Sequence, residues 1–325
     1  MAMTEALYGP AGFYRRPEGP AGHFRTSVHA SRYFAAAVLA LARAAELDTV
    51  VDVGAGRGEL LRVLHWLDPD LNLHGVEIVD RPSDLPDAVS WSAQLSDSEG
   101  ALVFANEWLD AIPVDVVEMT EDGPRIVEVD QATGEERLGG PPSAQDVAWL
   151  DRWWPLTDAE PGDRAEVGRL REEAWVSAIG SLRRGVAVAA DYAHERNARP
   201  PFGTLSAYSE GRQVPVVPDG GCDISAHVAL DACAAAGEQA GATATLLTTQ
   251  REALRALGLR GARPPLELAQ TKPQEYLRGL KAAGEQAELL DPGGLGGFGW
   301  LVQCVGVPLP PPLVPRNDDV TAVSN

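Results

Sequence analysis

The sequence predicts an α/β fold: a doubly wound, mostly parallel sheet of seven strands with helices on both faces and an inserted hairpin and helical region. Three observations predict it. Short apolar runs rich in β-branched residues recur at about Thr49–Val53, Leu71–Ile78, Val89–Trp91, Ala101–Ala105, Gly185–Ala190, Thr243–Leu247 and Gly299–Val305. Stretches with apolar residues at helical spacing alternate with them, as at Leu60, Leu61, Leu64 and Leu67. The first run enters that helix through Gly54, Gly56 and Gly58, a turn in which the backbone can approach a ligand closely.

In chain order, residues 1–22 carry glycine, proline and aromatic residues and read as an irregular arm. A helix is expected from about Val28 to Ala45, with Ser27 as its N-cap and an apolar face of Tyr33, Phe34, Val38, Leu39 and Leu41. After Asn106 the strand–helix rhythm breaks. Val114–Met119 and Arg125–Val129, joined through Glu121-Asp122-Gly123-Pro124, read as a hairpin. Residues 114–165 are thus an insertion over the sheet, whose Trp149, Trp153 and Trp154 either shape a substrate cover or anchor packing. A helix follows over about Asp163–Leu182. The fifth apolar run ends at Asp191-Tyr192, and a loop through Pro200-Pro201 and Gly203-Thr204-Leu205 leads to Cys222–His227 and a helix to about Ala240. Shorter helices are expected at Glu252–Leu257 and Pro273–Ala283. Residues 307–325, with five prolines and little to bury, are expected to be disordered, which leaves 23–306 as the main domain.

Composition narrows the function classes. The chain has 325 residues, 45% hydrophobic and 23% charged, as in an ordinary globular protein. A formal charge of −20 argues against nucleic-acid or anionic-membrane partners, because its field repels both. No apolar run approaches the roughly 20 residues of a membrane span, and no leader precedes the first helix, so a cytoplasmic location is expected. Cys222, Cys233 and Cys304 are too widely spaced for a disulfide framework or a zinc site, and no metal is expected. Basic residues are almost all arginine, with Lys272 and Lys281 the exceptions, which fits a GC-rich bacterial genome.

The glycine turn is spaced Gly54-x-Gly56-x-Gly58, one residue short of a dinucleotide fingerprint. Asp52, on the strand end before it, would repel a diphosphate but can pair with an amino group. Glu77, near the end of the second strand, is placed to accept hydrogen bonds from ribose hydroxyls. S-adenosyl-L-methionine fits the description of a ligand with a ribose, a cationic amino-acid end and no phosphate; the other reading is a structural βα turn with incidental acids. Asp52, Gly54, Ala55, Gly56, Gly58 and Glu77 are therefore the expected cofactor residues.

Asn106, Glu107 and Asp110 follow the fourth strand, where ligands of open parallel sheets bind. Asn106 and Glu107 would emerge beside the reactive sulfonium. Glu107 and Asp110 could hold a guanidinium through paired charge-assisted bonds and leave room for its proton to depart; alternatively Asp110 caps a helix. His227 could orient the acceptor or act as a base, or be hydrogen-bonded in the helix entrance. Asp191 could bind substrate or end its strand.

These elements resemble the MidA-like methyltransferases, which include the mitochondrial complex I assembly factor that methylates an arginine. The resemblance rests on Asp52–Gly58, Glu77, Asn106-Glu107-x-x-Asp110-Ala111-x-Pro113, Asp191-Tyr192, Gly203-Thr204-Leu205 and Asp223-Ile224-x-Ala226-His227-Val228, in that order. It implies a Rossmann-like class I methyltransferase fold and brings Thr26 and Ser27, of the N-terminal Thr-Ser segment, beside the cofactor together with Asn106. It also implies methyl transfer to a protein arginine, with Glu107, Asn106, Asp110 and His227 as catalytic candidates. A small-molecule acceptor, or a binding protein keeping the fold, are the other readings, and a homodimer is compatible with each. Ala193 and His29 stand where that family usually has glycine and an acid.

Overall fold

The computed structural model of the chain describes residues 2–16 and 26–314. Seven strands form the central sheet: β1 (Thr49–Val53), β2 (Asn72–Val76), β3 (Val89–Ser92), β4 (Ala101–Asn106), β5 (Gly185–Asp191), β6 (Ala244–Thr249) and β7 (Gly299–Val305). Their order is β6-β7-β5-β4-β1-β2-β3. β1 to β5 run parallel, and β7 lies antiparallel between β5 and β6. This is the expected Rossmann-like class I arrangement.

Both faces are covered, as the near-continuous apolar strands require. Val50, Leu102, Phe104, Val186 and Val188 point to one face, under the helices Arg32–Ala44 and Glu59–Leu67. Val51, Val53, Val103, Ala105, Ala187 and Ala189 point to the other, under Arg169–Gly180 and Leu230–Gln239. On the first face Phe34, Phe104 and Trp300 meet edge to face, with ring centroids 5.6–6.4 Å apart. All three are fully buried, each contributing about 2–3 kcal/mol of transfer free energy.

Several local expectations are corrected. The helix expected over 28–45 is two helices, Ser27–Ala30 and Arg32–Ala44. Thr26, not Ser27, is the N-cap of the first; Ser31 is extended and caps the second by accepting the Tyr33 N–H at 3.1 Å. The hairpin forms at Asp115–Thr120 and Gly123–Val129, but Glu136–Leu138 and Arg164–Val167 extend it to four strands. The helix expected from Asp163 therefore starts only at Arg169, after Gly168. Trp149, Trp153 and Trp154 are packing residues, in a cluster with Val117, Leu150 and Val167.

The expected loop after β5 contains a three-stranded antiparallel sheet of Ser206–Ser209, Arg212–Val214 and Asp223–Ser225. Nor is the first part of the chain irregular. Ala2–Tyr8 is a helix, and Met3, Leu7 and Phe13 pack on Val114, Ala207 and Ile224 of that small sheet and the insertion. Val307 and Leu313 are buried against the main core, so 307–314 is ordered; the tail beyond 314, and His23 to Arg25, lie outside the described residues.

Candidate active site

A cleft of about 1260 Å³ opens beyond the carboxyl ends of β1, β2 and β4. It lies where the strand order reverses between β1 and β4, the position at which doubly wound sheets bind ligands. The small sheet and the N-terminal segment form its other walls, through Tyr14, Tyr208 and Asp223 among others.

At one end, Gly54, Gly56 and Gly58 all have positive φ, between 56° and 76°. The turn is fastened to β2, for Gly54 N–H and Ala55 N–H both donate to the Val76 carbonyl. Gly58 then starts the helix Glu59–Leu67. Asp52 is 5% exposed, and burial followed by the charges of Glu59 and Glu77 holds its carboxyl well above the usual carboxylate range. Glu77 accepts the Gly56 N–H at 3.1 Å and the Ile78 N–H at 2.7 Å, one on each oxygen. Burial works against the Glu59 carboxylate, but bonds from His29 and from backbone N–H groups keep it below the ordinary value. Thr26 also lines the cleft and bonds to His29 Nδ1 at 2.8 Å.

At the other end, Glu107 has φ 52°, a left-handed conformation that non-glycine residues adopt at a cost. Its N–H donates to the Ala190 carbonyl at 2.9 Å, and its Oε1 accepts from Asn106 Nδ2 at 2.9 Å and from Ser27 N–H at 3.2 Å. Burial, then the charge of Asp110, pushes Glu107 up to about 7 against those two donors. Asn106 Oδ1 is buried with no partner among the described residues. Burial raises Asp110 too, against Arg171 and a bond to Asp191. Asp191 is fully buried, and burial and the Asp110 charge push its carboxyl well above the usual range. Burial likewise brings Asp223 to about 7, although Tyr14 donates to its Oδ1 at 2.7 Å. His227 stacks on Tyr192 with centroids 5.5 Å apart, and burial and Arg171 lower it, so it is neutral at pH 7.

The structure thus brings Asp52, Gly54, Ala55, Gly56, Glu77, Thr26, Asn106, Glu107, Asp110 and His227 to one cleft. Gly58 sits behind the turn, and Ser27 is not on the cleft wall: its hydroxyl bonds to the buried Gln250. Sequence reasoning missed Glu59, His29, Tyr14 and Arg171. Glu59 stands directly after the last glycine and was legible as a third acid. Tyr14 and Arg171 reach the site only through tertiary packing.

The chemistry is that of two acidic seats joined by one cleft. A buried carboxyl with no cation beside it and an amide oxygen with no partner, among the described residues, together with two further acids fit a ligand with a cationic amino-acid end and hydroxyl groups. The second seat, of Glu107, Asp110 and Asp223 among tyrosine rings, fits a second cation. Among the described residues no cluster could hold a metal, and no helix is long and apolar enough to cross a membrane.

The family described as "Putative S-adenosyl-L-methionine-dependent methyltransferase" matches residues 30–248. A protein from Burkholderia thailandensis, crystallised with S-adenosyl-homocysteine, is 25% identical with a TM-score of 0.76, over 94% of this chain and 87% of that one. An uncharacterized protein of the same superfamily and organism is 26% identical with a TM-score of 0.75, over 94% and 86%. No curated protein matches the chain.

Proposed function

Because the chain belongs to that family of S-adenosyl-L-methionine-dependent methyltransferases, we propose that it methylates the guanidinium of an arginine side chain in a protein. The observation that carries this reading is Glu107. It is held in a left-handed conformation at the end of β4, and Asp110 and Asp223 line the same cleft. Strained backbone at a strand end beside a cleft is a mark of a working residue.

The cofactor residues of this proposal are Asp52 for the amino group, Glu77 for the ribose hydroxyls and the glycine turn for close approach. Asn106 Oδ1 offers a further acceptor, and Thr26 closes the wall. Bound there, S-adenosyl-L-methionine supplies an electrophilic methyl group on a positively charged sulfur. Glu107 and Asp110 hold the guanidinium by charge-assisted bonds and turn one nitrogen toward the cofactor seat. As that nitrogen forms its bond to the methyl carbon, the carbon–sulfur bond would break and leave a neutral thioether, and Glu107 takes the proton that the nitrogen loses. A base with a pKa near the working pH is suited to this. Neutral His227, stacked on Tyr192, borders the acceptor.

The test is transfer of labelled methyl from S-adenosyl-L-methionine into a fractionated lysate of the source organism. Methylarginine in a protein band is the expected product. Label confined to the small-molecule fraction would replace the protein acceptor with a metabolite.

A further inference from the structure

We infer that Arg171 is a positioning residue for the acceptor seat: its guanidinium fixes the loop that follows Glu107 against the segment from Asp223 to His227. This rests on the reading that the acceptor binds at those acids.

Arg171 stands in the first turn of the helix Arg169–Gly180, on the far face of the sheet from the glycine-turn helix, and is 2% exposed. Among the described residues its side-chain bonds all run to carbonyl oxygens. Nε donates to Ile112 at 3.1 Å, one terminal nitrogen to His227 at 2.7 Å and the other to Asp110 at 2.7 Å. These carbonyls belong to two segments more than a hundred residues apart, and the planar fork of an arginine spans both at once. The same loop is held by other groups that reach it from elsewhere. Tyr8 donates to the Ala111 carbonyl at 3.0 Å, Ala226 N–H donates to Asp110 O at 3.1 Å, and the Asp191 carboxyl accepts the N–H groups of Leu109 and Asp110. On the His227 side, the backbone N–H donates to Thr204 Oγ1 at 2.8 Å, and Thr204 is in turn bonded to Glu166.

Arg171 itself does not line the cleft. Its only way to act on an acceptor is through the residues it holds. Burying a guanidinium is costly, and a core with no polar work here would use an apolar side chain. The bonding pattern explains its presence. It joins the two halves of the acceptor seat and leaves the cofactor seat, on β1 and β2, untouched.

The experiment compares wild type with Arg171→Ala and Arg171→Lys, using a library of arginine-containing peptides as acceptor and calorimetry for S-adenosyl-L-methionine. Melting temperatures identify variants that fail to fold, and Arg171→Lys serves if Arg171→Ala does. We expect cofactor affinity within about twofold of wild type. Methyl transfer falls by roughly a hundredfold, the loss typical of an ångström-scale misplacement of reacting groups. Millimolar guanidinium ion, filling the space left in Arg171→Ala, restores a measurable part of it. Transfer unchanged in both variants overturns the inference, and so does a loss of cofactor affinity in parallel with transfer. Failure of guanidinium to rescue a folded Arg171→Ala overturns it also. If wild type binds the cofactor but methylates no peptide, the arginine reading fails by itself, and hydrogen exchange then decides. Amides of 109–112 and 226–228 exchange faster in Arg171→Ala and slow again with guanidinium if Arg171 holds the two segments; unchanged exchange excludes it.

Discussion

Glu107 Oε1 accepts the backbone N–H of Ser27 at 3.2 Å, a bond across 80 residues that joins the end of β4 to the first turn of a helix. The residue proposed to take the proton is therefore oriented from outside its own strand. Ser27 is fixed in turn by Gln250, which also accepts from Trp300 Nε1 at 3.3 Å in the core. The carboxylate is anchored to the buried core, where Gln250 and Trp300 are fully enclosed.

Glu107→Gln keeps the shape of this arrangement and removes the base. The variant should bind S-adenosyl-L-methionine as wild type does and lose about 100- to 10,000-fold in methyl transfer. Calorimetry and single-turnover transfer measure the two halves. Transfer within a few-fold of wild type would take Glu107 out of the mechanism.

Asp52→Asn separates binding from stability. Loss of a charge-assisted bond to the amino group should weaken cofactor binding by at least about tenfold, since such bonds contribute about 1.5–3 kcal/mol. Without cofactor the variant should melt no lower than wild type, because the buried carboxyl has two acidic neighbours and, among the described residues, no cation. A lowered melting temperature together with unchanged affinity would contradict both assignments.

Proton linkage gives a signed pH dependence. Glu107 and Asp223 both titrate near pH 7 in the folded chain, above the ordinary carboxylate values. Between those ordinary values and pH 7 the folded state binds more protons than the unfolded one, so stability falls as pH rises through that window. Melting temperatures of the ligand-free protein should decline from pH 5 to pH 8 (roughly the span that brackets both titrations), and less so in Glu107→Gln. Methyl transfer should instead rise over the same range, as Glu107 ionises. A flat transfer profile below pH 8 would exclude Glu107 as the base.

Gly54→Ala tests the turn. Gly54 has φ 70°, and an added Cβ would stand 2.9 Å from Trp108 Cδ1. Left-handed alanine costs about 1–2 kcal/mol before the clash is counted. The variant should melt lower and bind the cofactor more weakly, in a thermal-shift titration. Wild-type affinity there would mean that the turn does not approach the ligand.

The sheet was legible in the sequence because β1 to β7 are short runs with apolar residues, most of them separated by stretches of helical periodicity. The glycine turn and its flanking acids were legible for a related reason: Asp52, the glycines and Glu77 are local to two adjoining strands. Failures came where context outweighs pattern. Ser31 breaks an otherwise unbroken alanine-rich helix, because its extended backbone turns the chain and its hydroxyl caps the helix Arg32–Ala44. Arg164–Val167 becomes a strand because Asp115–Glu118 offers it an antiparallel partner. Ser27 matched the cofactor side by motif, yet its hydroxyl turned to Gln250, a partner 223 residues away. Arg171 looked like any surface arginine, and only its three carbonyl partners distinguish it.

The reversed strand β7 has a consequence for how the protein is made. It enters between β5 and β6, so neither has its final neighbour until residue 305 has been synthesised. A ribosome-bound chain that has just finished β6 carries two open strand edges, and those edges invite pairing with other nascent chains. The sheet is closed by its last strand, which also delivers Trp300 to Gln250 and, through it, to Ser27 beneath Glu107. The strand that fills the last gap in the sheet is thus also the one that bonds to the residue holding Ser27.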